Sequence, residues 1–180
     1  MCLHRCCVQM RTQKACRSVA IALITRYYGK VNCILLGKER DGRYVGKYNM
    51  IGGSFDKCDN ECWVNASIRE TQEEAKITLS EDVVCQSRFF MQNNTPVFCI
   101  FLNDILRKYL NIKIAIANSN TMLPLCEREM SDVQYININT RNQIDGEHTE
   151  EGVVLYETPV EISSYALAVI KQIIAFNIVG

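Results

Sequence analysis

Residues 52–74 read GGSFDKCDNECWVNASIRETQEE, which is two glycines and a polar loop followed by a segment rich in carboxylates. Neither Gly nor Pro occurs from residue 60 to residue 75, so this part of the chain can form an uninterrupted helix. Asp59 or Asn60 has the kind of side chain that favours the N-cap position of such a helix. The sequence therefore predicts a helix over residues 60–75, entered from a flexible diglycine at Gly52 and Gly53.

The carboxylates of this helix follow a regular spacing. Glu70, Glu73 and Glu74 stand at i, i+3 and i+4, which places them on one helix face. Ala66 and Arg69 join that acidic face, and the opposite, packing face carries Val64, Ile68, Thr71 and Ala75. Like charges this close repel one another unless a partner or a cation offsets them, and Mg²⁺ and Mn²⁺ prefer such oxygen ligands. The face is therefore either a metal site or a solvated acidic surface.

In spacing and residue type this segment resembles the Nudix box, G-x5-E-x7-R-E-U-x-E-E-x-G-U, where U is a bulky aliphatic residue. Glu61 lies eight residues before Arg69, as the box requires. The remaining matches are Glu70, Glu73, Glu74 and Ile77. This is a specific motif, so the resemblance implies the activity of that family.

Three features of the segment depart from the box. The interval from Gly53 to Glu61 is two residues longer than the pattern, and we expect the loop to absorb the insertion at small entropic cost. Thr71 replaces an aliphatic residue, which should weaken burial by about 1 kcal/mol relative to leucine. Lys76 replaces a glycine, and since lysine adopts a left-handed conformation less readily, we expect a differently shaped helix exit.

Apolar and β-branched runs outside the box predict the remaining elements of one domain. The predicted strands are 18–24, 30–36, 44–51, 83–91, 96–102 and 133–138, and the predicted helices are 104–110 and 162–177. The resemblance implies an α/β fold, a Nudix-type α/β/α sandwich with a mixed β-sheet. We expect residues 1–15 to form a flexible N-terminal segment and residues 16–180 to form the Nudix hydrolase domain.

The resemblance also implies roles for the residues of the box. Glu70, Glu73 and Glu74, with the backbone carbonyl of Gly52, would bind the cofactor, Mg²⁺ or Mn²⁺. Glu61 would complete the acidic cluster, and Arg69 would orient a carboxylate. These assignments make Glu70, Glu61 and Arg69 the candidate catalytic residues within the box.

The general base is open between two positions. In some family members it is the glutamate that follows the arginine, here Glu70, and in others it is a carboxylate from a loop beyond the box. Glu129, six residues before Tyr135 at the edge of a predicted strand, is our candidate for the loop position. Three other loop glutamates remain as alternatives, Glu127, Glu147 and Glu150.

The function implied by the resemblance is metal-dependent hydrolysis of a pyrophosphate bond in a nucleoside diphosphate linked to another moiety. Arg40 and Tyr48 are candidate substrate-binding residues outside the box. Residues 52–57 and the terminal helix also show a faint similarity to decapping enzymes of large DNA viruses, so the mRNA cap is one candidate substrate. The alternative function is a catalytically degenerate binding or regulatory domain that keeps the fold without turnover.

Composition limits the setting of the protein. Of 180 residues, 48% are hydrophobic, and the 20 basic and 20 acidic residues leave no net charge that would indicate a nucleic-acid-binding protein. No apolar run approaches the ~20 residues of a membrane span, so we expect no membrane partner. Ten cysteines without a visible signal peptide indicate a reducing cytoplasm, with Cys33, Cys85 and Cys99 as buried thiols in strands. The oligomeric state is not predicted.

Overall fold

The structure, a computed structural model, describes residues 17–27, 30–59, 62–102, 111–112, 115–116, 118, 130–137, 148–149, 152–153 and 160–175. The strands are β1 Ala20–Tyr27, β2 Lys30–Glu39, β3 Tyr48–Asn49, β4 Arg88–Gln92, β5 Thr95–Leu102, β6 Met130–Asn137, β7 His148–Thr149 and β8 Gly152–Val153. The α-helices are α1 Trp63–Ala75, α2 Glu81–Gln86 and α3 Ser164–Ala175, and single 3-10 turns occur at Gly42–Tyr44 and Lys57–Asp59. The predicted helix at 104–110 and the N-terminal segment lie outside the described residues.

The first six strands form one mixed sheet. Its order is β3-β2-β1-β5-β4, and β6 also pairs with β2. β1 is antiparallel to β2 and parallel to β5, so the sheet is mixed as predicted. β7 and β8 pair only with each other, as a separate two-stranded sheet.

Each face of the sheet is covered by helices, which gives the predicted α/β/α sandwich. Alternate residues of β1 point to opposite faces. Ile21 and Leu23 pack with α1 and α2 in one core cluster, whereas Ala22 and Ile24 pack with α3 in the other. Because both faces are buried, the central strands contain continuous apolar runs, such as residues 19–24 and 34–36, rather than an alternating pattern. The side of α3 that packs in this second cluster carries Ala166, Val169, Ile170 and Ile173.

The segment that follows β3 brings the diglycine to the start of β1. β2 pairs with the second half of β1, where Leu35 lies opposite Leu23. Ile51 then takes over beside Ile21, and Val19 donates its N–H to the Gly53 carbonyl at 2.9 Å. The predicted strand at 44–51 is thus mostly a loop, and only its last part pairs with the sheet.

The start of α1 differs from the prediction. The N-cap is Cys62, whose side chain makes no capping hydrogen bond, so neither Asp59 nor Asn60 caps the helix. Ala66 also lies in the core, fully buried with Val64, rather than on an exposed acidic face. The helix is therefore covered on more than half of its circumference, and the carboxylates emerge along its border with the loop.

The end of α1 keeps the backbone conformation that glycine would have, which corrects our prediction for Lys76. Lys76 is left-handed at φ 56° and ψ 30°, and its N–H donates to the Thr71 carbonyl. A side chain in this region costs about 1 kcal/mol relative to glycine. The Lys76 ammonium offsets part of that cost by donating to the Glu73 carbonyl. Lysine in place of glycine at position 76 therefore changes the conformational energy of the helix end but not its backbone shape.

The predicted strand at 83–91 is partly wrong. Residues 81–86 form α2, because Ser80 caps the helix by accepting the Val83 N–H and two acidic residues occupy the first turn. Cys85 is consequently helical and exposed, not a buried strand thiol, whereas Cys99 in β5 is buried as expected. The following hairpin turns at Asn93 and Asn94, both with positive φ.

Candidate active site

Gly52 and Gly53 pack against two different parts of the molecule. A Cβ on Gly52 would lie 2.3 Å from the carbonyl oxygen of Val19, and the residue has a φ of +143°, so any side chain here would be excluded by β1. A Cβ on Gly53 would lie 2.5 Å from Oε1 of Glu70. The diglycine therefore lets the chain fit between the backbone of β1 and a carboxylate of α1.

Two of the predicted carboxylates converge on this diglycine. Glu70 is 6% exposed and lies against Gly53, and Glu74, one turn further along α1, accepts the Gly52 N–H on Oε2 at 2.8 Å. The hydrogen bonds to β1 are accepted by the carbonyls of Ile51 and Gly53, on either side of Gly52. Glu70, Glu74 and the Gly52 backbone are thus brought together.

Arg69 connects the helix to the loop through several carboxylates. Its Nη1 donates to Oε2 of Glu73 at 2.6 Å, and its Nη2 lies 2.8 Å from Oε1 of Glu70. The same Nη2 also donates to the Ser54 carbonyl at 2.8 Å. The guanidinium therefore contacts two of the three predicted metal ligands, and the orienting role of Arg69 stays a prediction.

The residue that holds Arg69 in place is Asp59, which the sequence analysis treated only as a helix cap. Nε of Arg69 donates to Oδ1 of Asp59 at 3.1 Å, and Nη2 lies 2.9 Å from Oδ2. Asp59 is only 2% exposed, and it also accepts the Asp56 N–H at 2.8 Å. A fork-shaped pair of this kind is both directional and strong.

The two charges of this pair stabilise each other. Burial works to raise the pKa of Asp59, but the hydrogen bonds from Arg69 and from the Asp56 backbone outweigh it and hold that pKa below its usual value. The pKa of Arg69 is raised, first by its hydrogen bonds to Asp59 and then by Glu73 and Glu70. Both groups are therefore charged throughout the neutral range.

Not every candidate residue lies at this site. Tyr48 is buried in the cluster that packs on α3, on the sheet face opposite α1, and its hydroxyl donates to Oδ2 of Asp132 at 2.6 Å. Arg40 follows β2, with Nη2 at 4.0 Å from Oδ2 of Asp41 and a buried Nη1 that has no hydrogen-bond partner. Glu61 and the general-base candidate Glu129 lie outside the described residues, as do the alternatives Glu127, Glu147 and Glu150.

A cavity of about 330 Å³ opens on another part of the surface. It is lined by residues of α2, β4 and β5, namely Val83, Gln86, Ser87, Arg88, Cys99, Ile100 and Phe101. None of the box residues contributes to it. Burial raises the pKa of the Cys99 thiol to about 12, so this cysteine is protonated and unreactive at neutral pH.

The donor chemistry at the diglycine fits a hard divalent cation. The buried carboxylate of Glu70 fills the space that a Cβ on Gly53 would need, and Glu74 reaches the adjacent residue. Oxygen ligands of this kind suit Mg²⁺ or Mn²⁺. Within the described ranges, however, no group of three or more His, Cys, Asp or Glu side chains is arranged to hold a metal ion.

Comparison with solved structures identifies the fold. The chain is similar to a MutT/Nudix family protein from Enterococcus faecalis, with a TM-score of 0.51 and 13% identity over 97% of this chain and 70% of that one. It is also similar to a bifunctional NMN adenylyltransferase/ADP-ribose pyrophosphatase from Francisella tularensis, solved with AMP and a Mn ion, with a TM-score of 0.52 and 12% identity. That match covers 94% of this chain but only 44% of the bifunctional protein.

The chain therefore has the Nudix fold, as the box implied. No family model matches the sequence. No curated protein sequence matches it either. Among the described residues, no helix combines the length and the apolar character needed to cross a membrane.

Proposed function

We propose that the protein is a divalent-metal-dependent pyrophosphohydrolase of the Nudix type. The observation that carries this proposal is the convergence of Glu70 and Glu74 on Gly52 and Gly53, with Arg69 fixed beside them. A structural helix surface has no need to direct two carboxylates at a backbone that lacks side chains. The same arrangement is what a site for diphosphate chemistry requires, because a cation and the substrate must both approach closely.

The proposed roles follow from these contacts. Glu70 and Glu74 would hold the metal together with the Gly52 carbonyl, and Glu73 and Glu61 would add to the negative charge. A bound Mg²⁺ or Mn²⁺ would polarise the phosphates and lower the pKa of the attacking water. Arg69 keeps the Glu70 carboxylate in one orientation through the 2.8 Å ion pair.

The proton of the attacking water requires a base. Glu70 is one candidate because it already lies at the site, and Glu129 is the candidate from outside the box. The two assignments differ in a measurable way, since loss of Glu70 would remove both metal binding and the base. Loss of Glu129 would lower kcat and change its pH dependence while metal affinity is kept.

We propose a nucleoside diphosphate linked to another moiety as the substrate class. One structural neighbour carries an ADP-ribose pyrophosphatase activity in its name and was solved with AMP and a Mn ion, which motivates ADP-ribose as the first compound to test. Capped RNA stays among the candidates because of the similarity of residues 52–57 to viral decapping enzymes. Arg40 remains a candidate contact for either substrate, since its buried Nη1 has no hydrogen-bond partner.

The test is a substrate panel with purified protein and either Mg²⁺ or Mn²⁺. It contains ADP-ribose, diadenosine polyphosphates, nucleoside triphosphates and cap-labelled RNA. We expect metal-dependent release of product from at least one compound, and a loss of about 10³-fold or more in kcat/KM in Glu70→Gln and Glu74→Gln. Glu81→Gln, an exposed carboxylate in α2, is the matched control and should retain full activity. Survival of every substrate at high protein concentration with both metals would contradict the proposal.

A second candidate is a Nudix-fold binding domain without turnover. The observation that favours it is the absence of a complete three-carboxylate group within the described ranges, together with the pairing of Arg69 to both Glu70 and Glu73. Such a domain would bind a compound of the panel, measured by calorimetry, and would leave it intact in the presence of metal. We also propose that the protein acts in the reducing cytoplasm, where a chain with ten cysteines in 180 residues keeps its thiols reduced.

A further inference from the structure

Asp59 stands at a position where the Nudix box has its first glutamate. Exactly five residues separate Gly53 from Asp59, which is the interval that the box sets between its glycine and its first acidic residue. Glu61 instead keeps the interval to Arg69. The two-residue insertion can therefore lie before Glu61, so that Glu61 is the acidic residue of the box, or after Asp59, so that Asp59 takes that position. The sequence alone does not decide between these two alignments.

The contacts of Asp59 favour the alignment in which the insertion follows Asp59. Its side chain is 2% exposed and its two oxygens receive Nε and Nη2 of Arg69, while the Asp56 N–H provides a third hydrogen bond. The other contacts of Arg69 are from Nη1 to Glu73 and from Nη2 to Glu70 and the Ser54 carbonyl. Asp59 thus fixes the guanidinium from the loop side, opposite the carboxylates of α1.

The charges explain what this contact does for the site. Asp59, Glu70 and Glu73 are three carboxylates that pair with the guanidinium of Arg69, so two negative charges of this group remain when all are ionised. Without Asp59 only one would remain, and the full charge of Arg69 would fall on Glu70 and Glu73. A cation would then compete with Arg69 for the same carboxylates.

We propose that Asp59 is the positioning residue of this site, which holds Arg69 and offsets its charge so that Glu70 and Glu73 remain available to a divalent cation. Asp59 acts through Arg69 and does not touch the metal or the substrate. This inference rests on the proposed function, since it assumes that the carboxylates bind a cation. A simpler role, tying the loop to the helix, would affect stability but not the metal affinity of the folded protein.

The test is a calorimetric titration of the full-length protein with Mn²⁺ alone, without any substrate. We expect Asp59→Asn to weaken Mn²⁺ binding by about tenfold or more relative to the wild type. Asp59→Glu keeps the charge and should stay within about threefold of the wild type. Asp56→Asn, an exposed carboxylate of the same loop, is the matched control and should leave the affinity unchanged.

A double variant separates the charge mechanism from a structural role. Asp59→Asn combined with Arg69→Gln removes both members of this pair, and with them the guanidinium that competes with a cation for Glu70 and Glu73. The proposal expects this double variant to bind Mn²⁺ more tightly than Asp59→Asn alone, because the competing guanidinium is gone. A folded double variant that binds Mn²⁺ no more tightly than Asp59→Asn overturns the proposal.

The remaining outcomes separate this inference from the function on which it rests. Wild-type affinity for Mn²⁺ in a folded Asp59→Asn variant overturns the role of Asp59 and leaves the proposed function in place. A wild-type protein that binds no Mn²⁺ overturns both. Circular dichroism and a thermal unfolding curve of each variant, recorded without metal, establish that the titrated protein is folded.

Discussion

The two ends of α1 depart from the Nudix box in different ways, and the protein accommodates them by different means. At the entry, Asp59 in the lengthened loop does not cap the helix. Its carboxylate contacts the guanidinium of Arg69 instead. At the exit, Lys76 takes the left-handed conformation that the glycine of the pattern would take. In the lengthened loop, Asp59 is the side chain that contacts Arg69. At the exit, the change from glycine to Lys76 left the backbone conformation as it was.

The difference follows from the freedom of the backbone at each end. The loop can shift its contacts because many conformations join the same two ends at similar entropic cost. The exit cannot shift, because the Lys76 N–H must reach the Thr71 carbonyl and Ile77 must enter the core. The helix end therefore keeps its backbone conformation at an energetic cost, whereas the loop contacts Arg69 through Asp59.

The largest expected effect is at the entry. Asp59→Asn should lower the free energy of unfolding by about 3 kcal/mol at pH 7, because it leaves the largely buried Arg69 without its strongest partner. The pKa of Asp59 is lowered in the folded state, so its stabilisation is present above the usual carboxyl pKa of about 4 and is lost as the pH falls further. Urea unfolding at pH 7 and at pH 3 measures both the loss and its disappearance in acid.

Asp56→Asn is the control for that measurement, since the Asp56 side chain is exposed in the same loop. It should change the free energy of unfolding by less than about 0.5 kcal/mol at either pH. An equal loss in Asp59→Asn at pH 7 and pH 3 would show that the lost stability does not come from the ionised carboxylate.

A smaller effect is expected at the diglycine. Gly53→Ala places a Cβ 2.5 Å from Oε1 of Glu70, so the carboxylate must move away from the site. We expect kcat/KM to fall about 10²-fold on the substrate that the panel identifies, as is typical of a displaced catalytic group. Ser54→Ala, the exposed neighbour, should keep full activity. Wild-type kcat/KM in Gly53→Ala would mean that the position of Glu70 is not critical.

The smallest of these effects concerns the exit. Lys76→Gly should raise the free energy of unfolding by about 0.5 kcal/mol, because relief of the left-handed strain exceeds the added entropy of the unfolded chain. Lys76→Ala keeps the strain and should show no gain. Activity should stay within about twofold of the wild type in both. A stability loss in Lys76→Gly, measured by urea unfolding, would assign the Lys76 side chain a larger role than its bond to Glu73.

Much of the fold could be predicted because the strongest local signals agree with it. The apolar runs of β1, β2 and β5 are buried on both faces, and the turn at Asn93 and Asn94 has its own sequence signature. α2 was missed because its two valines suggested a strand, although Ser80 and the acidic first turn were a readable helix start.

The candidate site was predictable where helix periodicity governs it. The spacing of Glu70 and Glu74 predicted that they share one side of the helix, and in the structure both reach the diglycine. Counting alternate residues back from Gly53 through Ile51 would have placed Tyr48 on the opposite face of the sheet. The role of Asp59 could not be predicted in the same way, because burial of a polar loop residue depends on its partner across space rather than on any local pattern.

The central claim is that the carboxylates of α1 at the diglycine bind a divalent cation. The most direct test is a calorimetric titration of the wild type, Glu74→Gln and Glu81→Gln with Mn²⁺, each shown to be folded by circular dichroism. We predict binding in the wild type and in Glu81→Gln, and at least tenfold weaker binding in Glu74→Gln, equivalent to about 1.4 kcal/mol. Equal affinity and stoichiometry in all three proteins would contradict the account.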